Sequence, residues 1–155
     1  MAYSVEPRQV DPLVVGRVIG DVVDMFVPAV SMSVYYGPKH VTNGCDIKPS
    51  MTTAPPTVHI SGYADDLNFG CGRYSGGTHA VRGKEILTYM GPSPPVGIHR
   101  YVLVLFRQKN SLNIDEPPEI RANFSTRNFA NQLDLGLPAA TVYFNAQKKP
   151  MTKRR

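Results

Sequence analysis

Gly91-Pro-Ser-Pro-Pro-Val-Gly-Ile-His-Arg-Tyr-Val-Leu-Val-Leu-Phe-Arg107 is the stretch on which the reading turns. Arg100 to Arg107 is the strongest strand signal in the chain, with aromatic and β-branched residues nearly continuous, as expected for a buried central position. A proline-rich turn, Gly91 to Pro95, stiffens the approach to it. Gly97 then lets the backbone come close to a ligand, and His99, Arg100 and Tyr101 follow at the start of the strand. His99 and Tyr101, two residues apart, share one face and offer hydrogen-bond donors to an anionic head group. The same spacing also fits a plain structural turn whose His99 bonds backbone.

Outward from this strand the elements are short. Met32 to Tyr36 and Val58 to Ile60 read as strands, bounded by Gly37-Pro38, Pro56 and Gly62, with Asn43-Gly44 as a turn. Ala140 to Asn145 is a final strand. Ser125 or Thr126 caps a helix running to about Leu133, with Phe129 and Leu133 on one face. Apolar pairs between Leu13 and Phe26 recur with helical period, interrupted by Gly16 and Gly20. Asn68 to Gly83 holds five glycines and reads as a flexible connection without structure of its own. The pattern is mostly β, a β-rich α+β or all-β chain with short peripheral helices.

Composition sets limits on function. The 155 residues fit one domain, and 14 prolines with 13 glycines favour loops and short strands over a helical bundle. The net charge of +5 sits in the tail: Lys148, Lys149, Lys153, Arg154 and Arg155 account for five of the 17 basic residues, leaving 12 against 12 acidic. A neutral body has no footprint for direct nucleic-acid binding. The basic tail, 148–155, reads as a solvated end or a nuclear-import signal. No secretory signal opens the chain, Tyr101 to Phe106 is too short an apolar run for a transmembrane segment, and Cys45 and Cys71 read as reduced thiols.

Catalytic and cofactor patterns are missing. Gly70-Cys71-Gly72 lacks the third glycine of a dinucleotide loop and the Gly-Lys-Ser/Thr of a phosphate loop. Asp65-Asp66 has no partner for acid–base work, and His40, His59, His79 and His99 form no local ligand motif. The expectation is a protein that is not an enzyme and takes no metal or cofactor.

Several segments together resemble the plant phosphatidylethanolamine-binding-protein (PEBP) family. Asp11-Pro-Leu-Val-Val-Gly-Arg-Val-Ile-Gly-Asp-Val-Val23 and Thr42-Asn-Gly-Cys-Asp-Ile-Lys-Pro-Ser50 look like its opening. Gly97 to Gln108 is similar to its central strand, and Asn123 to Ala130 and Leu135 to Gln147 to its carboxyl end. Asp24-Met-Phe26, Tyr36-Gly-Pro-Lys-His40, Gly91 to Val96 and Arg154-Arg155 are most similar to the Mother-of-FT branch, whose relatives are FLOWERING LOCUS T and TERMINAL FLOWER.

The resemblance implies an antiparallel β-sandwich with an anion pocket, spanning 1–147 as a single domain. It implies a non-enzymatic regulator of seed germination and of the transition to flowering, in cytoplasm and nucleus, with 14-3-3 adaptors and bZIP transcription factors as partners. Phospholipid head-group binding and a kinase-inhibitor-like interaction are the alternatives that the family implies. By position, His99 and Tyr101 match pocket-wall residues, and Pro95, Gly97 and Ile98 match the turn beside them.

One segment departs. The family's Asp-Pro-Asp-x-Pro-Ser motif and following His-Trp should fall between Leu67 and Gly76, where the Gly-rich 68–75 stands instead, and the chain has no tryptophan. That predicts the loss of two central strands and of all but one wall of the pocket. A shortened variant, from alternative splicing or an error in the gene's reading, would look like this.

Overall fold

The computed structural model describes residues 11–62, 67–69, 72–74, 78–79, 85–112, 114 and 122–148. Three strands form the spine: β3 (Cys45–Asp46), β9 (Ala140–Gln147) and β8 (Ile98–Leu105), in the order β3-β9-β8. β8 and β9 are antiparallel over eight consecutive pairs, from Ile98 opposite Gln147 to Leu105 opposite Ala140, and β3 runs parallel to β9. A second sheet has the order β2-β1-β4-β7, made of β1 (Ser31–Tyr36), β2 (Lys39–His40), β4 (Thr57–Ser61) and β7 (Thr78–His79).

Alternation along β9 explains how the layers hold. Val142, Phe144 and Ala146 face the four-stranded sheet and pack with Val34, Tyr36, Val41 and Ile47. Tyr143 points the other way, into a cluster of Leu13, Val18, Val23 and Phe26 from the N-terminal segment, with Val102 and Val104 of β8 beside it. Phe144 is fully buried and lies between Tyr36, edge-on at 5.6 Å, and Tyr101, stacked at 5.6 Å.

The expected helical stretch from Leu13 to Phe26 is corrected. It forms two short turns, α1 (Asp11–Val15) and α2 (Val18–Asp21), the second broken where Ile19 and Gly20 leave helical angles, Gly20 at φ 112°. Gly16 is needed on packing grounds: a Cβ there would overlap the Tyr143 ring. The N-terminal layer is thus shaped to lie on β9, and its apolar pairs reach the core without helix continuity.

α3 (Thr126–Gln132) forms as the sequence predicts, with the Ser125 hydroxyl accepting a hydrogen bond from the Asn128 N–H at 3.3 Å. Arg127 ties it to the N-terminal layer through Asp24 at 2.8 Å and the carbonyl of Gly20.

Two further expectations are corrected. The Gly-rich stretch is not structureless: β5 (Leu67–Phe69) and β6 (Gly72–Tyr74) pair as a hairpin, and β7 adds to β4. Backbone pairing there does not require apolar periodicity, which is why the composition concealed it. The strand from Ile98 to Leu105 is also not buried. Among the described residues it stands at the edge of its sheet, with no residue of it buried. Asp65-Asp66, Cys71 and 149–155 lie outside the described residues.

Candidate functional site

The proline turn is held down by a chain of hydroxyls. The Tyr89 hydroxyl donates to the Thr52 carbonyl at 2.7 Å, which leaves its oxygen to accept from the Tyr36 hydroxyl at 3.0 Å. Burial, together with donation to Tyr89, pushes the Tyr36 phenol far above its ordinary pKa, so it stays protonated and directs the relay one way. Thr52 is itself fully buried, its hydroxyl donating to the Pro49 carbonyl at 2.8 Å. Gly91 passes so close that a Cβ would sit 2.6 Å from the Thr52 oxygen. Only glycine permits that approach.

This anchoring sets two walls against each other. Pro49 and Ser50, at the start of a 3-10 turn, face Pro92, Ser93, Pro94 and Pro95 across a cleft of about 400 Å³, with Lys148 at its margin. The cleft combines rigid apolar rings, two serines and one cation, a lining suited to a small anionic group.

The sequence-predicted site residues divide around it. Pro95 lines the cleft. Tyr101 adjoins it: its hydroxyl oxygen accepts from the Ser93 backbone N–H, while burial, the larger influence, raises its pKa. The His99 ring bonds the Val96 carbonyl through Nε2 at 2.6 Å, the structural-turn arrangement, and is not among the lining residues. Gly97 makes the turn at φ 75°, and Ile98 stands 66% exposed. Arg100, between His99 and Tyr101, bonds the Gly16 carbonyl at 2.7 Å and Asp21 at 2.8 Å.

Tyr36, Thr52, Tyr89, Ser50 and Lys148 were not singled out as site residues by the sequence. The hydroxyl partners lie 53 and 37 residues apart, so no local spacing could reveal them. Lys148 was legible only as the first residue of a basic tail. Among the described residues no group of three histidine, cysteine or acidic side chains is placed to hold a metal, and no helix is long and apolar enough to cross a membrane.

A family model described as phosphatidylethanolamine-binding protein matches residues 40–147, most of the chain and all of the cleft's lining except Lys148. The chain belongs to the PEBP family. It is 46% identical to Protein MOTHER of FT and TFL1 homolog 2 of Oryza sativa subsp. japonica, over 96% of this chain and 99% of that one. It is 38% identical to Protein TERMINAL FLOWER 1 of Arabidopsis thaliana, over 96% and 97%. The PEBP fold is shared with solved structures. A carboxypeptidase Y inhibitor, in complex with its cognate proteinase, superposes with a TM-score of 0.75 at 17% identity, over 92% of this chain and 96% of that one. A phosphatidylethanolamine-binding protein from Plasmodium vivax gives 0.65 at 18% identity, over 90% and 97%.

Proposed function

We propose that this PEBP protein is a non-enzymatic signalling regulator of seed germination and of the transition to flowering. In this reading it acts in cytoplasm and nucleus through 14-3-3 adaptors and bZIP transcription factors. The observation that carries it is the 46% identity to a MOTHER of FT and TFL1 homolog along almost the whole of both chains.

The protein is, in the same reading, a shortened variant. The alignment with the rice relative runs over 173 positions, more than the 155 residues of this chain, which supports a missing internal segment. Capture of purified 14-3-3 and of a bZIP factor by the immobilised chain is the test. Retention of either, removed by a competing soluble relative, is the expected result. Failure to retain both, while the rice relative retains them under the same conditions, overturns the proposal.

The cleft favours a second reading, an anionic head-group module, because Pro95, Ser93 and Lys148 meet there. Inorganic phosphate should shift the NMR signals of Ser50 and Ser93, and Lys148→Ala should abolish the shifts. Equal shifts in the variant would remove this reading.

A further inference from the structure

Asn43 and Gly44 stand in the turn that leads into β3, and each is there for a structural reason. The Asn43 side-chain oxygen accepts from the Tyr143 backbone N–H at 3.1 Å, so it serves β9 as a strand neighbour would, just before β3 begins to pair. Gly44 holds φ at 80°, in the left-handed region that suits glycine. Its N–H donates to the Tyr143 carbonyl at 3.2 Å, and its carbonyl accepts from the Asn145 side-chain amide at 3.3 Å. The same pair is chemically fragile. An asparagine amide carbon lies within reach of the next residue's backbone nitrogen, and a glycine there has no side chain to obstruct the ring that the two can close. Asn43-Gly44 is the one Asn-Gly pair in the sequence.

We propose that Asn43 is a deamidation site which the fold holds shut, so that time spent unfolded is converted there into lasting damage. In the reaction the Gly44 nitrogen gives up its proton and attacks the Asn43 Cγ. The N–Cγ bond forms, the bond from Cγ to the side-chain nitrogen breaks, and ammonia leaves. Water then opens the cyclic imide at either carbonyl, giving aspartate or isoaspartate, with nothing oxidised or reduced. In the folded chain both ends of the bond to be made are engaged by one residue. The Tyr143 N–H binds the amide oxygen, and the Tyr143 carbonyl holds the Gly44 proton. While both hydrogen bonds hold, the nitrogen is kept from turning onto Cγ. Asn43 and Gly44 are only half-buried, so hydrogen bonding guards the site and exclusion of water does not. An isoaspartate lengthens the main chain by one carbon directly ahead of Cys45 and Asp46, which pair in register with Phe144 and Asn145. The buried Ile47 follows, so the chain cannot absorb the extra atom by slipping along β9.

Peptide mapping by mass spectrometry tests this on the full chain, aged in mildly alkaline buffer with and without urea. In urea Asn43 should convert to aspartate and isoaspartate ahead of every other asparagine, and Asn43→Gln should remove the signal. Without urea the conversion should slow about tenfold or more, because it then waits on local opening of the turn. Equal rates in the two conditions overturn the proposal, and so does a urea-unfolded chain in which Asn43 survives. Refolding tests the damage. Chains with isoaspartate at position 43, separated from those that still carry asparagine, should lose the cooperative thermal melt that the unconverted chains keep. The same melt in both fractions would contradict the claim that the change is lasting damage.

Discussion

β8 and β9 are matched residue for residue, eight against eight, and draw on similar side chains. Five residues of β9 are buried and none of β8. The difference comes from neighbours. β9 has β3 on one side and β8 on the other, whereas β8 has β9 alone among the described residues. Apolar composition makes a strand able to sit at the centre of a sheet, and only the strands available on either side determine whether it does. Among the described residues, the strand with the central composition is left at the rim.

The sharpest probe of that contrast is a pair of truncations facing the same core. Phe144→Ala empties a fully buried site between Tyr36 and Tyr101 and should cost about 3–5 kcal/mol in urea unfolding. Leu103→Ala, on half-buried β8, should cost less than half of that. Equal losses would break the comparison.

Next in size is Gly16→Ala, which drives a methyl group into the Tyr143 ring on the other face of β9 and should cost about 1–3 kcal/mol. Gly97→Ala, at the head of β8, meets no atom within 4 Å and strains only the backbone at φ 75°, so about 1 kcal/mol is expected in the same urea melt. A larger loss at Gly97 than at Gly16 would reverse the account of which strand is tightly fitted.

Of similar size is Tyr89→Phe, which strands the Thr52 carbonyl and the Tyr36 hydroxyl and should lower stability by about 1 kcal/mol. Tyr36 adds a pH dependence. Its pKa is raised by folding, so its contribution is complete below the ordinary tyrosine value of about 10 and fades as the pH climbs beyond it. Tyr36→Phe should flatten the alkaline loss of stability, and an unchanged alkaline melt would remove the relay from the account.

The sequence carried the pieces whose signals are local. Ser125 at the start of α3, the turn before Gly97 and the runs that became β1, β4 and β9 all announce themselves within a few residues. Legibility failed where the outcome depends on distant partners. The burial of β8 depends on which strand lies beside it, and the N-terminal segment bends to meet Tyr143, more than a hundred residues away. At the site, Pro95 and Tyr101 were legible beside the turn and the backbone bond of His99 was one of its two readings, but the tie made by Arg100 was not legible, since Gly16 and Asp21 had to be placed first. The cleft itself required Pro49 and Pro92 to face each other across 43 residues, which the Tyr36–Tyr89–Thr52 relay and the close approach of Gly91 to Thr52 arrange.

Hydrogen exchange on the monomeric fraction, resolved by residue across β8 and β9, tests the central claim most directly. The account predicts slow exchange throughout β9 and an alternation along β8, slow where amides face β9 and fast where they face outward. Uniform protection along β8 in the monomer would contradict it, because the strand would then have a second neighbour and would not be an edge.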